Sequence, residues 1–304
     1  MTGGAHIAVA SVSSYVFTWA GVRAAGEVHS VFSTSFNIEL AGHLLHVGSA
    51  DSPHSCLGMQ LAPDAMAALL ASVRPRDVVQ LRDMRVRIYS RAGIAELDMS
   101  SASVEDTRFT SLPRLEPVAS GADAALGRML ATRDLRSRIG LPWPDRSDAA
   151  VTDLARFSVA CLMEGRGGLS ERDAVRVEAA VRGMRAAVVY LVGRGLGLTP
   201  SGDDVLCGFG CGLSLVAGAA SDGVALFSRE VLRVSRDATT TVSMAYLSAM
   251  VAGYANRDYL ELARALADGA PAQAGHAIDR ILGVGHTSGA DGLLGFAAAF
   301  GCLM

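Results

Sequence analysis

The segment "GRGLGLTPSGDD", Gly193–Asp204, runs directly into the apolar stretch "VLCGFGCGLSLVAGAA", Val205–Ala220. A linker has no use for two adjacent acids, and a helix interior is weakened by glycine. The pattern is that of a demanding turn leading into a buried helix. A shortened version recurs near the C-terminus as Thr287-Ser288-Gly289-Ala290-Asp291-Gly292-Leu293-Leu294-Gly295-Phe296. With Pro200 omitted, both copies read T-S-G-x-D-x-L-x-G-F, and Ser201 and Ser288 stand 87 residues apart. Such self-similarity marks a pseudo-repeat. Each copy predicts a helix that is apolar on nearly every side, and the two starts can face one another across a single site.

Outward from the repeat, helical periodicity fills the chain from about residue 120, as in "ADAALGRMLATRDLRSRI" and "ERDAVRVEAAVRGMRAAVVYLVG". Before that, short β-type runs dominate, among them "HIAVASVSSYVFTW", "VHSVFSTSFNIEL", "HLLHVGS" and "RVRIYS", with a short helix at "APDAMAALLASV". The fold class is therefore α+β. A β-rich N-terminal sheet or barrel, expected to be antiparallel, over 1–115 precedes a mainly helical domain over 120–304. The boundary is expected within "SLPRLEPVASGAD" (111–123), and "LPWPDRSD" (141–148) reads as a helix-to-helix loop.

Half of the 304 residues are hydrophobic and 19% are charged, which argues against disorder. The formal charge of -3 provides no basic field for nucleic acid. The N-terminus lacks a basic leader region, and the 16-residue apolar run Val205–Ala220 falls short of the roughly 20 residues needed to cross a bilayer. These features predict a cytoplasmic protein with neither nucleic-acid nor membrane partners. The five cysteines read as small buried hydrophobes rather than a metal or disulfide set.

The spacing of Ser201 to Asp204, and of Ser288 to Asp291, is that of a helix N-cap with an acid at the third helical position. Capping alone explains neither the glycines before the first serine nor Gly202 and Gly289 after each one. A helix start with open N–H groups and nearby hydroxyls suits a small anionic substrate. The substrate-binding candidates are Gly197, Thr199, Ser201, Gly202, Asp203, Thr287, Ser288, Gly289 and Arg236. Asp204, Asp291 and His286 are the catalytic candidates. A carboxylate repels an anion, so Asp203, Asp204 and Asp291 act as caps, accept N–H bonds from an amide-bearing ligand, or hold a hard cation such as Mg²⁺. Caps with amide recognition are favoured and no metal is assigned. The missing lysine rules out an ATPase-type phosphate loop. His43 and His46 lie on opposite faces of a strand and, with His54, do not suggest a shared metal.

At "GRGLGLTPSGDDVLCGF" and "GVGHTSGADGLLGF" the sequence resembles the AllH family, as do "VFSTSFNIEL" and "TTTVSMAYL" more softly. The resemblance implies a subunit of an oxamate carbamoyltransferase-type complex in allantoin use, with AllG-like and FdrA-like (AllF) partners; no cofactor is expected, with Mg²⁺ left open. The reaction would interconvert oxalurate plus phosphate with oxamate plus carbamoyl phosphate. Two other classes remain open: a Mg²⁺-dependent helical hydrolase, and a non-catalytic scaffold or regulatory subunit in which Gly208 and Gly212 let two helices pack closely.

Overall fold

The computed structural model describes residues 5–116, 121–142, 145–164 and 170–302. Two compact units meet at Arg108/Phe109. Of the segments expected to be linkers, residues 117–120 and 143–144 lie outside the described residues.

The first unit runs β1 (Ala5–Ala8), β2 (Ser11–Ser13), α1 (Ser14–Phe17), β3 (Ala24–Val31), β4 (Phe36–Leu40), β5 (His43–Ser49), β6 (Gly58–Leu61), α2 (Pro63–Ser72), β7 (Val78–Arg82), β8 (Arg85–Ser90), β9 (Gly93–Asp98) and β10 (Ser103–Glu105). All ten strands form one sheet in the order β1-β9-β8-β7-β3-β4-β5-β6-β2-β10. Only Val9 and Ala10 separate β1 from β2, yet these strands lie towards opposite ends of that order. The sheet must therefore curl until its ends approach, and the backbone shows how. Val9 N–H donates to Asp98 O at 3.0 Å and Ala10 N–H to Gln60 O at 2.9 Å. The result is a β-rich half-barrel. It is mixed, not antiparallel as the short turns suggested: β1 with β9, β5 with β6 and β10 with β2 pair in parallel. Those pairs link distant segments, which local turn signals do not report.

Alternation places Phe36, Ile38, Leu45, Val47 and Met59 in the interior with Met66 and Leu69 of α2. The expected strand through "SYVF" is instead a helical turn, because Ser13 Oγ accepts from Val16 N–H at 3.1 Å and caps it. His43 stacks on Trp19 with centroids 4.7 Å apart. His46 bonds Asn37 Oδ1 through Nδ1 at 2.9 Å, and burial, helped by His54, pushes its pKa down to about 4.

The second unit is helical: α3 (Ala122–Ala131), α4 (Asp145–Glu164), α5 (Glu171–Leu191), α6 (Ser201–Ala217), α7 (Asp222–Ser235), α8 (Thr241–Val251), α9 (Arg257–Ala267), α10 (Pro271–Leu282) and α11 (Ser288–Ala299). The helices carrying the two motifs, α6 and α11, are buried on nearly all sides and pack against each other. Other helices present one apolar face to them. Phe209 of α6 meets Phe227 of α7 edge-on at 5.1 Å, and Ser158 of α4 donates through Oγ to Ala299 O at 2.6 Å. No helix among the described residues is long and apolar enough to cross a membrane.

Candidate functional site

The 87-residue offset in sequence is a near two-fold relation in space. A Cβ placed on Gly208 would lie 1.9 Å from Gly292 O, and one placed on Gly295 would lie 1.9 Å from Val205 O. Each of these contacts maps onto the other when 87 is added to or subtracted from the residue numbers. Only glycine permits backbone-to-backbone contact of this kind, so the motif glycines set the distance between α6 and α11. The loops leading in are matched as well: Gly195 (φ 120°) lies against Ser201, and Gly285 (φ 63°) lies against Ser288. Gly202 and Gly289 bring the start of each helix against the end of the helix before it, at Leu191 O and Ile281 O.

The expected capping boxes do not form. Helix α6 begins at Ser201, so Pro200 occupies the N-cap. Thr287 occupies it in α11, and neither helix has a side-chain cap bond. The serine hydroxyls instead face the acid of the other copy, while each threonine faces the acid of its own. Ser288 and Thr199 face Asp204, Ser201 and Thr287 face Asp291, and Thr199 Oγ1 lies 2.9 Å from Ser288 Oγ. A spacing of three residues imitates a cap in sequence, but the partner sits on the other copy of the motif.

Asp291 is fully buried, and its Oδ1 accepts from Gly140 N–H at 2.9 Å. Its Oδ2, like that of Asp204, is buried without a hydrogen-bond partner. Burial raises the pKa of both acids, that of Asp204 well above the usual carboxylate range, and the negative charge of Asp291 raises Asp204 further. Two acids so placed do not both ionise easily, and the pair titrates as a unit. Chemically it offers two unsatisfied acceptor atoms and, while one proton is retained, a donor.

Asp203 behaves differently. Its Oδ1 accepts from Gly193 N–H at 2.9 Å and its Oδ2 from Thr239 Oγ1, which binds the glycine loop to the segment before α8. It is turned away from the pair, so the three acids do not converge. Among the described residues, no group of three or more His, Cys, Asp or Glu side chains is arranged to hold a metal.

The helix start is less open to an anion than its glycines suggest. Gly202 N–H donates to Arg194 O, and the N–H groups of Asp203 and Asp204 donate to Pro200 O. His286 and Arg236 are exposed, and neither makes a hydrogen bond or ion pair among the described residues. Gly197 is exposed at φ 90°. The structure thus gathers Thr199, Ser201, Asp204, Thr287, Ser288 and Asp291 into one constellation, and leaves His286, Arg236 and Gly197 at the surface.

Gly140 carries no motif, and its sequence neighbourhood gives no hint of its role. A Cβ there would meet Ser201 Oγ at 2.3 Å and Thr287 Oγ1 at 2.7 Å, so the residue closes the site by backbone alone. Tyr259 of α9 was equally invisible: its hydroxyl reaches the Gly292 backbone beside Asp204.

Comparison with known families matches residues 8–104 to the AllH family N-terminal domain. Residues 191–300, which hold both motifs, match the family described as oxamate carbamoyltransferase subunit AllH. No solved structure matches the chain.

Proposed function

Because the chain belongs to the AllH family, we propose that it serves as an AllH-like subunit of a carbamoyltransferase complex and that Asp204 and Asp291 hold the amide end of the carbamoyl-bearing substrate. One observation carries this reading: two buried acids, each faced by a serine of the other motif, keep one oxygen apiece without a partner. An unmatched buried acceptor is costly unless a ligand supplies the donor. The NH₂ of oxamate or of a carbamoyl group is such a donor. The hydroxyls of Thr199 and Ser288 are placed to turn either way, towards the acids or towards a ligand oxygen.

Among the described residues the constellation holds no Ser-His-Asp or Cys-His pairing, so the chemistry proposed is direct transfer between substrates held in position. Phosphate or carbamoyl phosphate would be held largely by groups outside this pair, and AllG-like and FdrA-like chains are the proposed source. A resident Mg²⁺ has weaker support, since Asp203 is committed to Gly193 and Thr239 and two crossed acids make a thin donor set.

The test is ligand-induced thermal stabilisation of the purified chain. Oxamate or oxalurate should raise the melting temperature of the wild-type protein, and Asp204→Asn or Asp291→Asn should remove the shift. Stabilisation that survives in both variants would place the ligand elsewhere. Stabilisation by phosphate alone, lost in neither variant, would return the site to a helix-packing role.

A further inference from the structure

Tyr259 stands beside Asp204, and its surroundings are unusual for a packing residue. It projects from α9, which is fastened to α10 by Arg280 bonding Asp258 at 2.6 Å. The ring lies 5.8 Å from Phe296 of α11. A phenylalanine would serve that contact equally well. The hydroxyl, however, reaches the α11 backbone at Gly292, where an added Cβ would stand 2.1 Å from the oxygen. The helix therefore keeps a glycine where the hydroxyl comes in. That oxygen makes no hydrogen bond among the described residues. Tyr259, Thr199, Asp204 and Ser288 are each only partly buried, and Ser201 and Asp291 are buried.

We propose that the Tyr259 hydroxyl serves this constellation as a donor and binds the carbonyl oxygen of a ligand whose amide N–H groups are taken by Asp204 and Asp291. The inference rests on the reading of the acid pair given above and deepens it: the constellation selects a planar carbonyl carrying an NH₂ group. Two acceptors and one donor, from three helices, match the two ends of a primary amide and mismatch a carboxylate, which has no N–H to give. The phenol stays protonated at neutral pH, since burial and the neighbouring Asp204 both raise its pKa well above the usual tyrosine value. It is therefore a permanent donor.

Calorimetric titration with oxamate and with pyruvate, its isostere without N–H groups, tests this on wild-type protein, Tyr259→Phe and Asp204→Asn. Loss of one neutral hydrogen bond should weaken both ligands about tenfold in Tyr259→Phe and leave their ratio unchanged. Asp204→Asn should instead weaken oxamate far more than pyruvate. If folded Tyr259→Phe binds oxamate as tightly as wild type while Asp204→Asn does not, the tyrosine assignment falls and the acid-pair reading stands. If wild type binds no oxamate, both fall together. Should Tyr259→Phe not fold, the crystal structure of the wild-type oxamate complex decides: a hydroxyl within hydrogen-bond distance of the ligand carbonyl supports the assignment, and one beyond it overturns the assignment.

Discussion

Asp203 and Asp204 are neighbours in sequence and have opposite tasks. Asp203 holds Gly193 and Thr239 together, so Asp203→Ala leaves a buried donor unmatched and should cost about 1–3 kcal/mol in urea unfolding. Asp204 holds nothing with Oδ2, and its environment opposes ionisation. Its folded pKa lies above the unfolded value. Its contribution is therefore fully favourable only below that unfolded value and is lost as pH rises through the folded one. His46 shows the reverse case for a base. With a folded pKa of about 4 against a usual 6.5, its contribution is complete above 6.5 and disappears as pH falls towards 4. Urea titrations should show stability declining across that interval, and His46→Gln should flatten the decline.

At the scale of elements, α6 and α11 are two copies of one solution. Their glycines touch the partner's backbone, so Gly208→Ala or Gly295→Ala forces the helices apart and should cost about 1–3 kcal/mol or more. The same separation would pull Ser288 from Asp204 and Ser201 from Asp291. Ligand-induced stabilisation should thus vanish even in protein that remains folded, and differential scanning calorimetry with and without oxamate reads both effects. An intact shift in a destabilised variant would show that helix spacing does not set the site.

Much of the molecule was legible in its sequence, for reasons that differ from part to part. The motif helices were visible because duplication repeats the same steric demand at Gly208 and Gly295. The β-rich unit was visible because alternation is local, whereas its closure through Val9 and Ala10 joins them to Asp98 and Gln60, far along the chain. The crossed pairing of Ser201 with Asp291 was hidden because Ser201 and Asp204 are spaced like a capping box. Tyr259 was hidden because a tyrosine on an amphipathic helix reads as core. His286 and Arg236 drew notice for their chemistry, yet no contact holds either in the constellation.

In the proposed function, Asp204 and Asp291 are kept for a ligand at some cost to the folded chain. Thermal unfolding of Asp204→Asn and Asp291→Asn at pH 7, with and without oxamate, tests this directly. The prediction is that each variant melts at or above the wild-type temperature, by about 2–4 °C for each kcal/mol of relieved burial, and gains nothing from oxamate. Variants that melt well below wild type, yet still respond to oxamate, would contradict it and make the acids structural.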